Sequence, residues 1–120
     1  MSQTPFESIQ QLRDALRAFA AERDWDQFHS PKNLAIALSV EAAELLEHFQ
    51  WTPEADSAVL VPEQHTKVRE EIADVLLYLI RLADKLDIDL LAAATDKIQL
   101  NAAKYPVDKA RGSSKKYTEL

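Results

Sequence analysis

V-E-A-A-E-L-L-E-H-F-Q-W, Val40 to Trp51, decides how this chain reads, and E-E-I-A-D-V-L-L-Y-L-I, Glu70 to Ile80, answers it. Each stretch carries two acidic residues three positions apart, Glu41/Glu44 and Glu71/Asp74, inside a strongly apolar helical pattern. At about 100° per residue, positions three apart lie about 60° apart and share one side of a helix. Leu45 falls about 40° from Glu41 and Leu38 about 60° from it, so Glu41 stands at the edge of the core-facing stripe. Val75 to Ile80, directly after Asp74, are apolar without a break. Carboxylates are almost never buried without a partner. Four of them on two inward faces repel one another and raise each other's pKa unless a cation sits between them. A hard divalent ion with oxygen ligands, Mg²⁺ before the others, is the natural partner.

One acidic pair on a helix is ordinarily a solvated face; two pairs on the inward-leaning faces of the two most apolar helices point to a metal site. Glu47 and Glu70 are expected to face outward. The rival reading, a di-iron bundle, needs Glu-x-x-His pairs. Leu45 precedes His48 by three and Pro62 precedes His65 by three, so neither histidine has its glutamate.

Outward from these stretches, 120 residues with 47% hydrophobic and 28% charged positions make one globular domain. The absence of cysteine excludes disulfides, thiolate zinc sites and thiol catalysis. No apolar run approaches the about 20 residues that span a membrane, and the first residues lack a signal-peptide layout. The expected location is cytoplasmic, without membrane. The net charge of −6 argues against a general nucleic-acid binder. Six of the fourteen basic residues nevertheless fall after position 96. An acidic middle and a basic end suggest a metal site with an anion-binding segment, or a solvated tail.

A single glycine and few β-branched clusters predict helices throughout. Thr4-Pro5-Phe6-Glu7 reads as N-cap, first-turn proline and capping-box glutamate of a helix running to about Arg23. Arg23 to His29 reads as a loop. Ser30-Pro31 starts a second helix, to about Gln50, and Pro62 a third, to about Lys85. Asp89 caps a fourth, Leu90 to about Lys104, which Tyr105-Pro106 closes. Residues 1–106 form the all-α domain, and 107–120 a basic C-terminal tail of that domain, wholly or partly ordered. A third helix apolar around its circumference needs more cover than four helices of one chain supply. The expected architecture is therefore a four-helix bundle assembled as an intertwined oligomer, a dimer or a tetramer.

Lys97, Asn101 and Lys104 fall on one face of the fourth helix, a face that suits a phosphate chain or is plain solvent surface. Asn101 is poorly placed for helix propensity in mid-helix, which favours the former. Trp25, Phe28 and Trp51 sit at loops or helix ends, where they stack on a nucleobase or close the core. Tyr78, one turn beyond Asp74, suits a substrate hydroxyl or the orientation of a carboxylate. His29 reads as a structural hydrogen-bonder.

Taken with K-I-Q-L-N-A-A-K-Y-P (97–106) and R-G-S-S-K-K-Y-T-E-L (111–120), the two acidic stretches resemble the all-α nucleoside triphosphate pyrophosphohydrolases, MazG-like proteins, and most nearly their dCTP pyrophosphatase branch. The resemblance covers about residues 6 to 120. It implies Mg²⁺ held by Glu41, Glu44, Glu71 and Asp74 as the catalytic set. It implies a base pocket lined by Trp25 and Trp51, Tyr78 near the sugar, and Lys97 and Asn101 on the substrate. The basic tail from Lys109 to Lys116, with Arg111 in it, would close over the triphosphate. It further implies a tetramer of intertwined dimers. One departure stands out: Leu16 occupies a first-helix position where relatives can carry a histidine near the base. The expected reaction is dCTP, or a modified dCTP, plus water to dCMP and pyrophosphate, clearing the nucleotide pool, with Glu41 or Glu44 as the base for water. The alternatives are pyrophosphohydrolysis of another nucleoside triphosphate, a non-catalytic nucleotide-binding helical oligomer, or a purely structural one.

Overall fold

The computed structural model describes residues 4–120; Met1 to Gln3, where the signal-peptide reading began, lie outside them. Among the described residues there are five α-helices and no strand: α1 Ile9–Glu22, α2 Pro31–Glu47, α3 Pro62–Lys85, α4 Leu90–Lys104 and the short α5 Val107–Ala110. None is long and apolar enough to cross a membrane. The chain divides into two compact units, Met1–Asp87 and Ile88–Leu120.

In the first unit α3 packs against α2 and, over a shorter length, against α1. The buried apolar side chains come from all three helices: Ala20 on α1, Leu34 on α2, and Val68, Ile80 and Ala83 on α3. This core is slight. Ile72, Leu76 and Leu79 form an i, i+4, i+7 stripe along α3, and all three are exposed, as are Ile36 and Val40 one turn apart on α2. A helix with apolar residues on every side cannot hide them against two neighbours.

Helix starts follow the local chemistry of the sequence. Ser30 caps α2, its hydroxyl accepting from the Asn33 N–H at 3.1 Å, with Pro31 in the first turn. Asn33 in turn donates its side-chain amide to the Phe28 carbonyl at 3.0 Å, fastening the loop to the helix it precedes. α3 and α4 have the boundaries expected from the sequence.

Two ends differ. α1 is capped by Ser8, which accepts from the Gln11 N–H at 3.1 Å, and not by Thr4. The Gln11 side chain reaches back to the Glu7 N–H at 2.8 Å, so Ser8-x-x-Gln11 outcompetes Thr4-x-x-Glu7 as the cap. α2 stops at Glu47, short of Gln50, because the His48 carbonyl accepts the Gln64 side-chain amide of α3 at 2.9 Å. The residues beyond wind into tight turns, with Gln50 N–H bonded to the Leu46 carbonyl and Thr52 N–H to that of Phe49.

The exit from α1 aims the aromatic loop. Trp25 N–H bonds the Ala20 carbonyl at 2.9 Å and Asp24 N–H that of Ala21 at 3.2 Å, with Asp24 in the left-handed region at φ 54°. This is a Schellman turn carrying aspartate where glycine is usual. It leads into a 3₁₀ turn, Asp26–Phe28, within the stretch read as loop.

In the second unit the tail turns at Gly112, φ 71°, and Tyr117 packs edge-on against Tyr105 with ring centroids 6.0 Å apart. The Lys104 ammonium stands 5.0 Å over the Tyr117 ring. Residues 107–120 thus fold back on the end of α4.

Candidate active site

α2 and α3 lie side by side so that Glu41 and Glu44, one turn apart on the first, meet Glu71 on the second. One carboxylate oxygen from each lies within 4.8 Å of the others, and all three residues are half-buried. Oε2 of Glu41 and Oε2 of Glu71 are buried and have no hydrogen-bond partner. Two buried anionic oxygens without a donor are costly. Burial, then the neighbouring Glu71 and Glu44 carboxyls, push the Glu41 carboxyl up to about 7. Such a set fits a hard divalent cation: every donor is a carboxylate oxygen, and the unpartnered atoms are the ones a cation would satisfy.

Asp74 is placed differently from the other three. It is exposed in the single chain and outside the three-carboxylate cluster, although its charge adds to the rise at Glu41. It lines instead a cavity of about 300 Å³ formed by α1, the aromatic loop and α3, with Leu16, Phe19, Trp25, His29 and Tyr78 among its walls. Trp25 stands edge-on to both Phe19, centroids 5.7 Å apart, and His29, 6.4 Å. The acidic cluster therefore adjoins an aromatic cavity through Asp74, three residues beyond Glu71 on α3.

The remaining residues singled out in the sequence are not among the members of the cluster or of the cavity lining. Trp51 follows the end of α2 and is 88% exposed. Lys97, Asn101 and Lys104 share one face of α4 in the second unit, and Arg111 and Lys116 flank the turn of its tail; all five are exposed.

Sequence reasoning missed the polar network beneath the cavity. Arg81 is 6% exposed. It donates from Nε to His29 Nδ1 at 3.1 Å and from a terminal nitrogen to Asp26 at 2.6 Å, with Asp84 3.6 Å away. Arg17 clasps Asp84 with two nitrogens, Nε at 2.7 Å, and Lys85 bonds Asp26. The Arg17 hydrogen bond holds the Asp84 carboxyl below its usual range, and the Lys85 bond does the same for Asp26. His29 is held low by burial and then by the Arg81 and Lys85 charges. The available signal was Arg81 itself, a lone cation closing the apolar run from Val75, with Asp84 one turn on.

An all-α chain with clustered helix carboxylates beside an aromatic cavity matches a known family: a model of the MazG-like family matches residues 36–120, and the chain belongs to that family. Among its relatives are the dCTP pyrophosphatase 1 proteins of Rattus norvegicus and Homo sapiens, each 42% identical over 119 residues that make up 98% of this chain and 70% of the relative. A pyrophosphatase of Archaeoglobus fulgidus has a similar structure: the TM-score is 0.77 at 43% identity, covering 88% of this chain and 99% of that one.

Proposed function

We propose that this protein is a nucleoside triphosphate pyrophosphohydrolase that converts dCTP, or a modified dCTP, and water to dCMP and pyrophosphate, clearing the nucleotide pool in the cytoplasm. The observation that carries the reading is the gathering of Glu41, Glu44 and Glu71 with two orphaned buried oxygens, in a chain 42% identical to dCTP pyrophosphatase 1 enzymes. Glu41, Glu44 and Glu71, with Asp74, are the residues that would hold Mg²⁺. When bound, the ion supplies charge compensation for the triphosphate oxygens and makes water a better nucleophile at neutral pH.

The chain's own groups do the positioning. The cavity takes the base, with the Trp25 ring as one wall and Tyr78 toward the sugar, while Asp74, three residues beyond Glu71 on α3, sets that cavity beside the carboxylates. Trp51, Lys97, Asn101, Lys104, Arg111 and Lys116 contribute to substrate binding in the assembled oligomer. A dimer or tetramer is the working form, because the uncovered apolar stripe of α3 is what a second copy would cover.

Product analysis with Mg²⁺ across dCTP, 5-methyl-dCTP, dUTP, dTTP, dATP and the ribonucleotides tests the reading. Monophosphate and pyrophosphate, with dCTP or its methylated form turned over fastest, are expected. Diphosphate and phosphate would refute the release of pyrophosphate, and no turnover of any of them would refute the enzyme.

A further inference from the structure

The aromatic cavity has an apolar lining on the α1 side, Leu16, Phe19 and Ala20, and its polar atoms come from elsewhere: Trp25, His29, Asp74, Tyr78 and Arg81. Of these the Arg81 guanidinium is committed to Asp26 and His29 and faces Asp84. A guanidinium has only donors. The His29 Nδ1 that receives its Nε–H must therefore present a lone pair, and a neutral ring then carries its one proton on Nε2. Burial and the Arg81 and Lys85 charges favour that neutral ring. Among the described residues no hydrogen bond engages His29 Nε2, and it is not one of the buried unpartnered atoms. His29, a wall of the cavity, thus carries a donor of fixed tautomer that has no partner among the described residues.

We propose that His29, locked by Arg81, is a specificity-determining residue that donates its Nε2–H to the ring carbonyl of a pyrimidine base. The inference rests on the reading of this cavity as the base site. A neutral N–H favours a carbonyl acceptor and gains nothing from an exocyclic amine. The cavity, at about 300 Å³, is also at the small end of ligand sites. Arg81 acts through His29 as a positioning residue, and Asp26 and Asp84 hold Arg81 in turn.

Hydrolysis of dCTP and of dATP, whose base has no carbonyl, by wild type, His29→Phe and His29→Gln tests the proposal. In His29→Phe, KM for dCTP should rise about 5- to 30-fold with kcat changed less than about twofold, and KM for dATP should stay near its wild-type value. His29→Gln, which keeps an N–H donor, should recover most of the loss. Long-range ¹H–¹⁵N NMR of His29 in the wild-type protein is independent of how the variants fold. It should show the Nε2-protonated tautomer, with the Nε2 resonance moving on addition of dCMP. An unchanged dCTP-to-dATP preference in His29→Phe, a proton on Nδ1, or an Nε2 signal indifferent to dCMP would overturn the role of His29 while dCTP turnover by the wild type left the enzyme standing. Failure of the wild type to hydrolyse either nucleotide would overturn the function itself.

Discussion

Glu41 is held in a protonation balance that its own fold makes costly. Its carboxyl is raised from the ordinary 4.5 to about 7 by burial and by Glu71 and Glu44. The folded chain therefore binds a proton more tightly than the unfolded one, so this group's contribution is fully favourable below about pH 4.5 and is lost as pH rises to about 7. Metal binding has the opposite slope, since the ion must displace that proton. Isothermal titration should show Mg²⁺ affinity climbing between pH 5 and 7 and levelling above about 7, with proton release on binding. A flat profile would mean that Glu41 is not a ligand. Glu41→Gln removes the charge without the shape. Metal-free Glu41→Gln should melt higher than metal-free wild type at pH 8, should lose the Mg²⁺-induced rise in Tm, and should hydrolyse dCTP at least about 100-fold more slowly.

At the scale of an element, the exits and entrances of α1 place the aromatic loop. Ser8→Ala should cost about 1 kcal/mol in urea unfolding, whereas Thr4→Ala should change nothing measurable, because only Ser8 bonds an orphan N–H of the helix. Equal effects of the two would restore Thr4 as the cap. Asp24 has φ 54°, a region costly for a side chain with a Cβ. Its Oδ2 and carbonyl accept from the Gln27 side-chain amide at 3.1 and 3.0 Å, which anchors the 3₁₀ turn before His29. Asp24→Gly relieves the backbone and removes the Oδ2 acceptor together, which loosens the turn to the carbonyl contact alone. The expected outcome is unchanged or slightly raised stability with weaker dCTP binding, read as Tm against KM.

Over the whole molecule, the exposed stripe Ile72, Leu76 and Leu79 stands out as an apolar row left uncovered among the described residues. Soluble monomers rarely expose contiguous apolar rows of this kind. Sedimentation velocity should find the protein as a dimer or larger at micromolar concentration. Leu76→Glu should shift it toward monomer, with Tm falling and hydrolysis falling with it. A wild-type monomer that retains full activity would remove the assembly from the mechanism.

What the sequence determined is what lies within one helix. Apolar period, Ser30-Pro31, Pro62 and Asp89 set the starts of α2, α3 and α4, and the three-residue spacing of Glu41 and Glu44 puts both on the side that faces α3. These are interactions between neighbours along the chain, so local chemistry suffices. The Arg17–Asp84, Arg81–Asp26 and Arg81–His29 bonds join residues 67, 55 and 52 positions apart. No spacing rule reaches that far, and only the meeting of α1, the aromatic loop and α3 selects those partners. The same holds for the end of α2, which a glutamine on α3 takes over. It holds too for Asp74, whose spacing matches Glu44's but which lines the aromatic cavity, outside the three-carboxylate cluster, while its charge still reaches Glu41. Local periodicity names the helices and their faces; packing alone decides which polar groups end up facing each other across them.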